Sequence, residues 1–199
     1  MSTTDATTTD TKAHLLATGY QLIAKKGFTA VGLKQILDTA GVPKGSFYHY
    51  FASKEAFGEA IINHYFSLYK TRLDVIDAQD VSAQQKLYDY FQNWYDTQQN
   101  GCDHEKCLVV KLSAEVADMS ETMRKALDTG YQQTTMWLAK QIKAGWLDES
   151  VPRHDNISAE SMAKRWYFAW LGASLIAKIS QTNTPLAEIW QMTTTQLGR

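Results

Sequence analysis

Residues 33–55 constrain the fold most strongly, because they place two short helical segments on either side of a glycine. The apolar side chains of the first segment recur with the period of an α-helix, which predicts a helix that ends at Gly41. They are Leu33, Ile36, Leu37 and Ala40. Pro43 suits the first position of a second helix of about two turns, since its missing N–H would be unpaired there. This second helix buries Phe47 and Phe51, so the two segments predict a helix-turn-helix.

The outer side of the second helix carries small, cationic and hydroxyl-bearing residues, which are typical of a DNA-reading surface. Phosphate ligands are predicted at Lys44, Tyr48 and Lys54, and such contacts set the register of a protein on DNA without reading its sequence. Further backbone contacts are predicted at Gly32 and Lys34. Base readout is predicted at Ser46 and His49, while Gly45 lets the helix lie close to the groove floor. In the alternative interpretation, Tyr48 and His49 merely cover a small core.

The charge of the chain is unevenly distributed. The whole sequence has a net charge of −1, but residues 11–54 hold six lysines against Asp38 alone and carry +5. The remainder of the chain is acidic. A basic N-terminal end suits phosphate, whereas lysines that only solvate helix faces are the plainer interpretation.

The same stretch resembles the DNA-binding end of TetR-family transcriptional regulators over residues 10–60. The resemblance rests on Gly27-Phe28-Thr29, on residues 33–40 and on Gly45-Ser46-Phe47-Tyr48-His49-Tyr50-Phe51-x-Ser53-Lys54-Glu55. It implies an all-α protein of about nine helices, in which a three-helix DNA-binding domain precedes a helical ligand-binding and dimerisation domain. In that family the positions of Lys44, Tyr48 and Lys54 commonly hold the DNA backbone.

The domain organisation follows from helical periodicity and caps. Residues 1–9 are predicted to be a disordered tail, residues 10–54 the DNA-binding domain, and residues 55–199 the sensing and dimerisation domain. The first helix is predicted to start at Asp10 or Thr11 and to end at Gly27. Ser53, Ser82, Ser120 and Ser158 are predicted caps of later helices, and the third of these helices is predicted to end near Lys143. Pro185 is predicted to start the last helix.

The helix after Ser158 is apolar on opposite sides and therefore needs neighbours on both. One face holds Met162, Trp166, Trp170, Ala173, Ile176 and Ala177, and the other holds Phe168, Leu171, Leu175 and Ile179. We predict that a second copy of the chain covers one face, with Gly172, Ala173 and Ser174 allowing close approach. A four-helix dimer interface with the last helix is usual in the family.

Aromatic residues dominate the middle of the chain, and they predict either ordinary core packing or the wall of a pocket for a flat, apolar effector. The two interpretations are compatible, because the wall of a cavity is also core. The candidate residues are Trp94, Tyr95, Tyr131, Trp137 and Trp166.

The segment 100–107 interrupts the helical pattern and contains both cysteines of the chain, Cys102 and Cys107. A helix is predicted to resume at Leu108, so that its N-terminus and the nearby Lys106 and Lys111 would lower the pKa of the Cys107 thiol. Residues 101–102 and 107–116, together with residues 171–180 around Lys178, resemble a branch of TetR-family repressors that respond to electrophiles, quinones, reactive chlorine or aldehydes.

Three functions are open for these cysteines. Cys107 is a reactive sensor, with Cys102 as its resolving partner or unrelated to it; or both are unreactive apolar side chains near the pocket; or Cys102, Cys107 and His104 bind zinc with a distant fourth ligand such as His154. No metal or other cofactor is assigned.

We therefore predict a homodimeric repressor, in which two recognition helices enter successive major grooves of a pseudo-palindromic operator and a small effector releases the DNA. The alternative within the class is a regulator with a non-covalent aromatic or apolar ligand. An enzyme with Cys107 as nucleophile and His104 as base is the rival from another class, but no third orienting group is present. The sequence contains no long apolar run or signal peptide, so the protein is expected to be cytoplasmic.

Overall fold

The computed structural model describes residues 4–100, 108–153 and 156–199, and its regular elements in these ranges are all α-helices. This confirms the all-α prediction. In chain order the helices are α1 Thr4–Lys26, α2 Leu33–Ala40, α3 Lys44–Tyr50, α4 Lys54–Asp77, α5 Ala83–Asn100, α6 Leu108–Val116, α7 Glu121–Leu147, α8 Ala159–Ser180 and α9 Thr184–Gln196. No helix among the described residues is long and apolar enough to span a membrane.

The predicted caps are observed where a serine precedes a helix. The Ser53 hydroxyl accepts a hydrogen bond from the Ala56 N–H at 3.1 Å, and Ser158 accepts one from the Ser161 N–H at 3.1 Å. These bonds satisfy N–H groups that have no partner within the first turn. α4 and α8 therefore begin where the sequence predicted.

Four helix ends differ from the prediction. α9 begins at Thr184, one residue before Pro185. α1 begins at Thr4 rather than at residue 10 or 11, since no proline or glycine interrupts residues 4–10. Pro43 is the N-cap of α3, with an extended ψ of 146°, and not its first helical residue. α7 continues past Lys143 to Leu147, and Gly145 inside it has no room for a side chain, since a Cβ there would lie 2.3 Å from the Val151 side chain. Glycine here lets the following turn pack against the helix.

The chain divides into two compact units, Met1–Ser67 with Lys106–Asp128 and Leu68–Glu105 with Thr129–Arg199. The unit boundaries therefore fall inside α4 and inside α7. The predicted functional boundary between residues 54 and 55 stays a prediction, whereas compactness alone groups α6 with the helix-turn-helix.

The core of the first unit is built from phenylalanines around α3. Phe47 is fully buried, and its ring centroid lies 5.3 Å from that of Phe51 and 5.2 Å from that of Phe57. α1 packs closely on this cluster, because a Cβ at Gly19 would meet the Phe57 ring at 2.4 Å. Burial of three phenylalanines supplies the apolar area that so short a helix as α3 cannot supply from its own hydrogen bonds.

The core of the second unit is a cluster of tryptophan and tyrosine rings on α5 and α8, with α9 packed against both helices. Phe91 stacks on Trp170 with ring centroids 5.3 Å apart. The indole N–H of Trp170 donates to the Thr193 hydroxyl at 3.0 Å, so that even the polar atom of this buried ring is satisfied.

Candidate nucleic-acid interface and sensor segment

The turn between α2 and α3 has the geometry that the sequence predicted. Gly41 adopts the left-handed conformation with φ 65°, which costs a glycine little, and the Val42 N–H donates back to the Leu37 carbonyl at 3.1 Å. The Pro43 carbonyl then accepts from the Ser46 N–H at 3.0 Å, which starts α3. The two helices are thus fixed by local hydrogen bonds.

The side chains on the outer side of α3 are open to solvent. Lys44, Gly45, Tyr48 and His49 are exposed, and Ser46 is half-buried. No atom lies within 4 Å of a Cβ built at Gly45, so this point of the surface can approach another molecule closely. Lys34 is exposed at the start of α2. The structure thus leaves these predicted DNA contacts accessible, and their roles on DNA stay predictions.

Lys44 and Tyr48 form a pair on the exposed surface of α3. The Lys44 Nζ lies 5.8 Å from the centre of the Tyr48 ring, one helical turn away, and 48% of Tyr48 is accessible. The geometry therefore does not favour the alternative in which Tyr48 and His49 merely cover the core. It places the Lys44 ammonium near the exposed Tyr48 ring, and the phosphate contacts of both residues stay predictions.

Lys54 is more enclosed than the other predicted phosphate ligands. Its Nζ donates to the Phe28 carbonyl at 2.9 Å and lies 4.5 Å from the centre of the Phe28 ring. Burial is the largest influence on this ammonium and lowers its pKa, while Glu55 and Glu115 act in the opposite direction. Lys54 thus holds α4 to the end of α1. An ammonium has three N–H donors, so a phosphate contact at Lys54 stays a prediction.

α6 is held to the helix-turn-helix by hydrogen bonds that we name the α6 clamp, formed by Lys111 and Glu115 on α6 with Lys25 and Thr29. The Lys111 Nζ donates to the Lys25 carbonyl at 2.8 Å. The Glu115 carboxylate accepts from the Thr29 N–H at 3.0 Å and from its hydroxyl at 2.9 Å. Lys111 and Glu115 lie one turn apart, so one side of α6 makes both contacts.

The sequence did not predict the α6 clamp, apart from its separate interest in Lys111. The partners lie 86 residues apart in the chain, and neither Glu115 nor Thr29 belongs to a local motif with a known spacing. The only local signal is the spacing of Lys111 and Glu115 at i and i+4, which is equally typical of an exposed ion pair within one helix. A contact over such a distance follows only from the packed structure.

The cysteines and their predicted partners Lys106, His104 and His154 lie outside the described residues. The reactive, unreactive and zinc-binding alternatives therefore stay predictions. No group of three or more potential metal ligands occurs in the part of the chain that the structure describes. Among the other predicted sensor residues, Lys111 belongs to the α6 clamp and Lys178 is exposed in the last turn of α8.

Two of the predicted ligand-binding tryptophans have hydrogen-bond partners within the core. The Trp94 indole N–H donates to the Ser174 hydroxyl at 3.1 Å, and the Trp166 indole N–H donates to Gln196 Oε1. Tyr95 stacks on Trp190 with centroids 5.6 Å apart, and Tyr131 stacks on Phe168 at 5.8 Å. Core packing is thus confirmed for Trp94 and Trp166, and a ligand role for these four residues stays a prediction.

α8 presents an apolar surface to solvent, as the sequence predicted for its second side. Phe168 is 55% exposed, Leu175 45% and Ile179 69%. Ile176, which the sequence places on the same side as Trp166 and Trp170, is nevertheless 50% exposed. Its place is taken by Ser174, which is buried and accepts from Trp94. A Cβ built at Gly172 would have no atom within 4 Å, so α8 is open to close approach there.

The fold and the exposed α3 define a helix-turn-helix regulator. The family model of bacterial regulatory proteins of the tetR family matches residues 15–61, and a tetracyclin repressor-like C-terminal domain matches residues 83–193. The chain belongs to the TetR family and is a transcriptional repressor of that type. This confirms the resemblance seen in the sequence. The family consists of regulators rather than enzymes.

Similar proteins place the chain within this family more closely. It is 42% identical to the HTH-type transcriptional repressor NemR of Escherichia coli K12 over 183 residues, which are 89% of this chain and 88% of that protein. It is 30% identical to the HTH-type transcriptional repressor DhaR of Mycobacterium sp. GP1 over 179 residues, or 89% and 87% of the two chains. The crystal structure of reduced E. coli NemR superposes with a TM-score of 0.87 at 39% identity, covering 94% of this chain and 96% of that one.

Proposed function

We propose that this protein is a homodimeric repressor that leaves its operator when an electrophile or oxidant modifies Cys107. The observation that carries the proposal is the α6 clamp. α6 begins at Leu108, the residue directly after Cys107, and its Lys111 and Glu115 are hydrogen-bonded to the end of α1 and to the turn before α2. Residue 107 is therefore connected to the DNA-reading segment through α6 and the hydrogen bonds of the α6 clamp.

The chemistry at Cys107 is addition of a thiolate to an electrophile. A thiol that directly precedes a helix is close to unpaired backbone N–H groups, which favour the thiolate form. With N-ethylmaleimide the sulfur forms a C–S bond at one carbon of the C=C bond, and the other carbon takes a proton from water. The product is uncharged and bulkier than the thiolate, so it removes the favourable interaction with the N-terminus of α6.

The α6 clamp gives this modification a route to DNA. α6 is nine residues long and is held by two side chains one turn apart, so a shift of its first turn displaces both contacts. Release of DNA requires only that the modified protein and the operator favour different positions of α2 and α3. We therefore expect modification to lower the affinity for the operator without unfolding the protein.

Dimerisation is proposed through the exposed apolar side of α8, joined by α9. Exposed large apolar side chains cluster on this side, with Phe168, Leu175, Ile176 and Ile179 on α8 and Met192 on α9. Contiguous exposed apolar surface is typical of an interface. Two copies of α3 held by such an interface would bind two half-sites of a pseudo-palindromic operator.

The test is binding of the purified protein to DNA adjacent to its own coding region, with and without N-ethylmaleimide. We expect wild type and Cys102→Ser to lose affinity on treatment, while Cys107→Ser binds equally well before and after. Release of Cys107→Ser at the dose that releases wild type would contradict the thiol mechanism at Cys107. Absence of operator binding by the untreated wild type would contradict the repressor function itself.

A non-covalent ligand in the second unit is the second candidate, because the buried indole N–H of Trp137 there has no hydrogen-bond partner among the described residues. In that case a Cys102→Ser, Cys107→Ser double variant would respond to the effector as wild type does. The same double variant would not respond if the effector acted only through the thiol.

A further inference from the structure

We propose that the indole N–H of Trp137 is the hydrogen-bond donor of an effector site in the second unit, and that the ligand is a flat, neutral molecule with a carbonyl oxygen. The inference rests on the proposed function only in that the protein responds to an effector. Trp137 Nε1 is a buried donor without a hydrogen-bond partner among the described residues. Buried polar groups are nearly always paired, so a buried donor without a partner requires an explanation.

The contrast with the neighbouring tryptophans makes the unpaired donor informative. The indole N–H groups of Trp94 and Trp170 donate at 3.1 and 3.0 Å to hydroxyl groups, and that of Trp166 donates to a glutamine side chain. This core therefore supplies acceptors to its tryptophans. Trp137, whose centroid lies 5.4 Å from that of Tyr90 in the same unit, is the member of the group whose acceptor has to come from elsewhere.

The polar side chains next to Trp137 on α7 are engaged with other partners. Thr134, three residues earlier, is buried and donates its hydroxyl to the Gly130 carbonyl at 3.0 Å. Gln141, four residues later, is buried and donates from Nε2 to Asp77 Oδ1 at 2.7 Å. Both bonds hold these side chains in place, and neither supplies an acceptor to the indole.

The surroundings of Trp137 define the chemistry of the ligand. Tyr90 is almost fully buried, and its ring also packs edge-on against that of Trp94 at 6.1 Å, so the surroundings of the indole are aromatic and favour a flat apolar ligand. Lys140, three residues after Trp137 on α7, is paired with the Asp77 carboxylate at 2.6 Å, so its charge is already balanced and is not offered to an anion. A neutral acceptor is therefore favoured over a carboxylate or phosphate. A carbonyl oxygen is the simplest acceptor of this kind.

A ligand at Trp137 would lie next to Tyr90, and Tyr90 and Gln141 are both bonded to the part of α4 that belongs to the second unit. Tyr69 on α4 donates its hydroxyl to the Tyr90 hydroxyl at 2.9 Å, and Asp77 at the end of α4 accepts from Gln141. α4 continues into the first unit, so an effector that moves these side chains acts on the same helix that directly follows the operator-reading segment in the chain.

Trp146 has the other unpaired indole N–H in the part of the chain that the structure describes, and it serves as a matched control. The Arg153 guanidinium lies 5.4 Å from the centre of its ring, near the end of α7. A guanidinium carries only donors, so it does not satisfy the indole N–H, and its charge favours an anionic acceptor over a neutral one. The cation explains the orientation of Trp146 without an effector.

The experiment titrates the ¹⁵N-labelled full-length protein with 1-indanone and, separately, with indane, which has the same carbon rings but no oxygen. Neither compound reacts with thiols, and no DNA is present. Each of the six tryptophans gives one indole N–H resonance, and Trp137→Phe identifies that of Trp137. We expect 1-indanone to move this resonance downfield and indane to leave its hydrogen-bonding shift unchanged.

The affinities provide the second readout. Trp137→Phe keeps an aromatic ring but removes the donor, so it should bind 1-indanone about tenfold more weakly than wild type and indane equally well. Trp146→Phe should bind both compounds as wild type does.

A Trp137 resonance that stays unchanged up to the solubility limit of 1-indanone would overturn the proposal, and so would equal affinities of wild type and Trp137→Phe for 1-indanone. A bound water that satisfies the indole in place of a ligand gives the first of these results. Since the titration involves neither Cys107 nor the operator, failure of the thiol mechanism leaves its outcome unaffected.

Discussion

The Glu115 carboxylate accepts two hydrogen bonds from Thr29, one from the backbone N–H at 3.0 Å and one from the hydroxyl at 2.9 Å. Thr29 lies in the turn that leads into α2, and Glu115 lies in α6. Both donors converge on the same oxygen, and hydrogen bonds to an ionised acceptor are stronger than those between neutral groups. This contact joins the segment that follows the cysteines to the segment that enters the helix-turn-helix.

The first prediction concerns this contact. Glu115→Ala should retain operator binding but lose most of the drop in affinity caused by N-ethylmaleimide, because the route from α6 to α2 is broken. Coupling between sites in proteins is typically about 1–3 kcal/mol, and we expect at least half of it to disappear. Titration of operator DNA before and after treatment measures the effect.

Glu121→Ala is the matched control for this prediction. Glu121 is exposed, and its 2.7 Å contact with Arg124 lies within the first turn of α7. Its removal deletes the same side chain without touching the α6 clamp, and the response should stay as in wild type. An undiminished response in Glu115→Ala would show that the clamp does not carry the signal.

The second prediction concerns DNA affinity. Lys44→Ala should weaken binding to operator and to unrelated DNA by similar factors, because a phosphate contact carries no sequence information. The slope of log affinity against log salt should fall in magnitude by about 1, as expected for the loss of one phosphate contact. His49→Ala should instead reduce the ratio of operator to unrelated-DNA affinity. Equal loss of specificity in both variants would contradict this division of roles.

The third prediction concerns the oligomer. Leu175→Glu places a charge in the exposed apolar side of α8, and burial of that charge in an interface without a partner is costly. We expect a monomer by analytical ultracentrifugation, with operator affinity reduced at least tenfold. Val75→Glu is the control, since Val75 is 62% exposed on α4, away from the proposed interface. A dimeric Leu175→Glu would exclude this surface.

The fourth prediction concerns acid stability. Hydrogen bonding from Lys140, and then from Gln141, lowers the pKa of Asp77 below its ordinary value of 3.8, although burial opposes this. A depressed folded-state pKa means that the stabilisation is present above the unfolded value and is lost as pH falls through the folded value. The free energy of unfolding of wild type should therefore exceed that of Asp77→Asn by about 1 kcal/mol near neutral pH. This difference should narrow below about pH 4.

Thermal melts of the two proteins between pH 3 and 7 test this dependence. Asp74→Asn changes an aspartate on the same helix whose partner is Lys70, one turn away and exposed. Exposed ion pairs within a helix contribute little to stability. The free energy of unfolding of this control should therefore differ from that of wild type by no more than a few tenths of a kcal/mol. A constant gap between wild type and Asp77→Asn across the range would exclude the ionisation of Asp77 as its cause.

Much of the fold follows from the sequence because its signals are local. The i, i+3, i+4 spacing of apolar residues predicted α2. Ser53 and Ser158 predicted the starts of α4 and α8, and each accepts a hydrogen bond from the N–H group three residues later. Where such local start and stop signals were weak, the predicted helix ends were less accurate. The sequence predicts a helix end near Gly145, yet this glycine lies inside α7, where the Val151 side chain occupies the space that a Cβ would need.

The candidate site divides in the same way. The exposed outer side of α3 follows from the burial of Phe47 and Phe51, since fixing one side of a two-turn helix fixes the other. The burial of Ser174 rather than Ile176 does not follow from the sequence. It depends on Trp94, 80 residues away, whose indole N–H donates to the Ser174 hydroxyl.

The sequence by itself determined the helix-turn-helix, the order of the helices and the family, because each depends on residues within a few turns of one another. The tertiary structure decided which polar groups find partners across the chain. It joins Glu115 to Thr29 and Trp94 to Ser174, and it leaves the Trp137 indole without an acceptor among the described residues. Hydrogen bonds require positions accurate to a few tenths of an ångström, and only the packed core sets such positions for residues far apart in sequence.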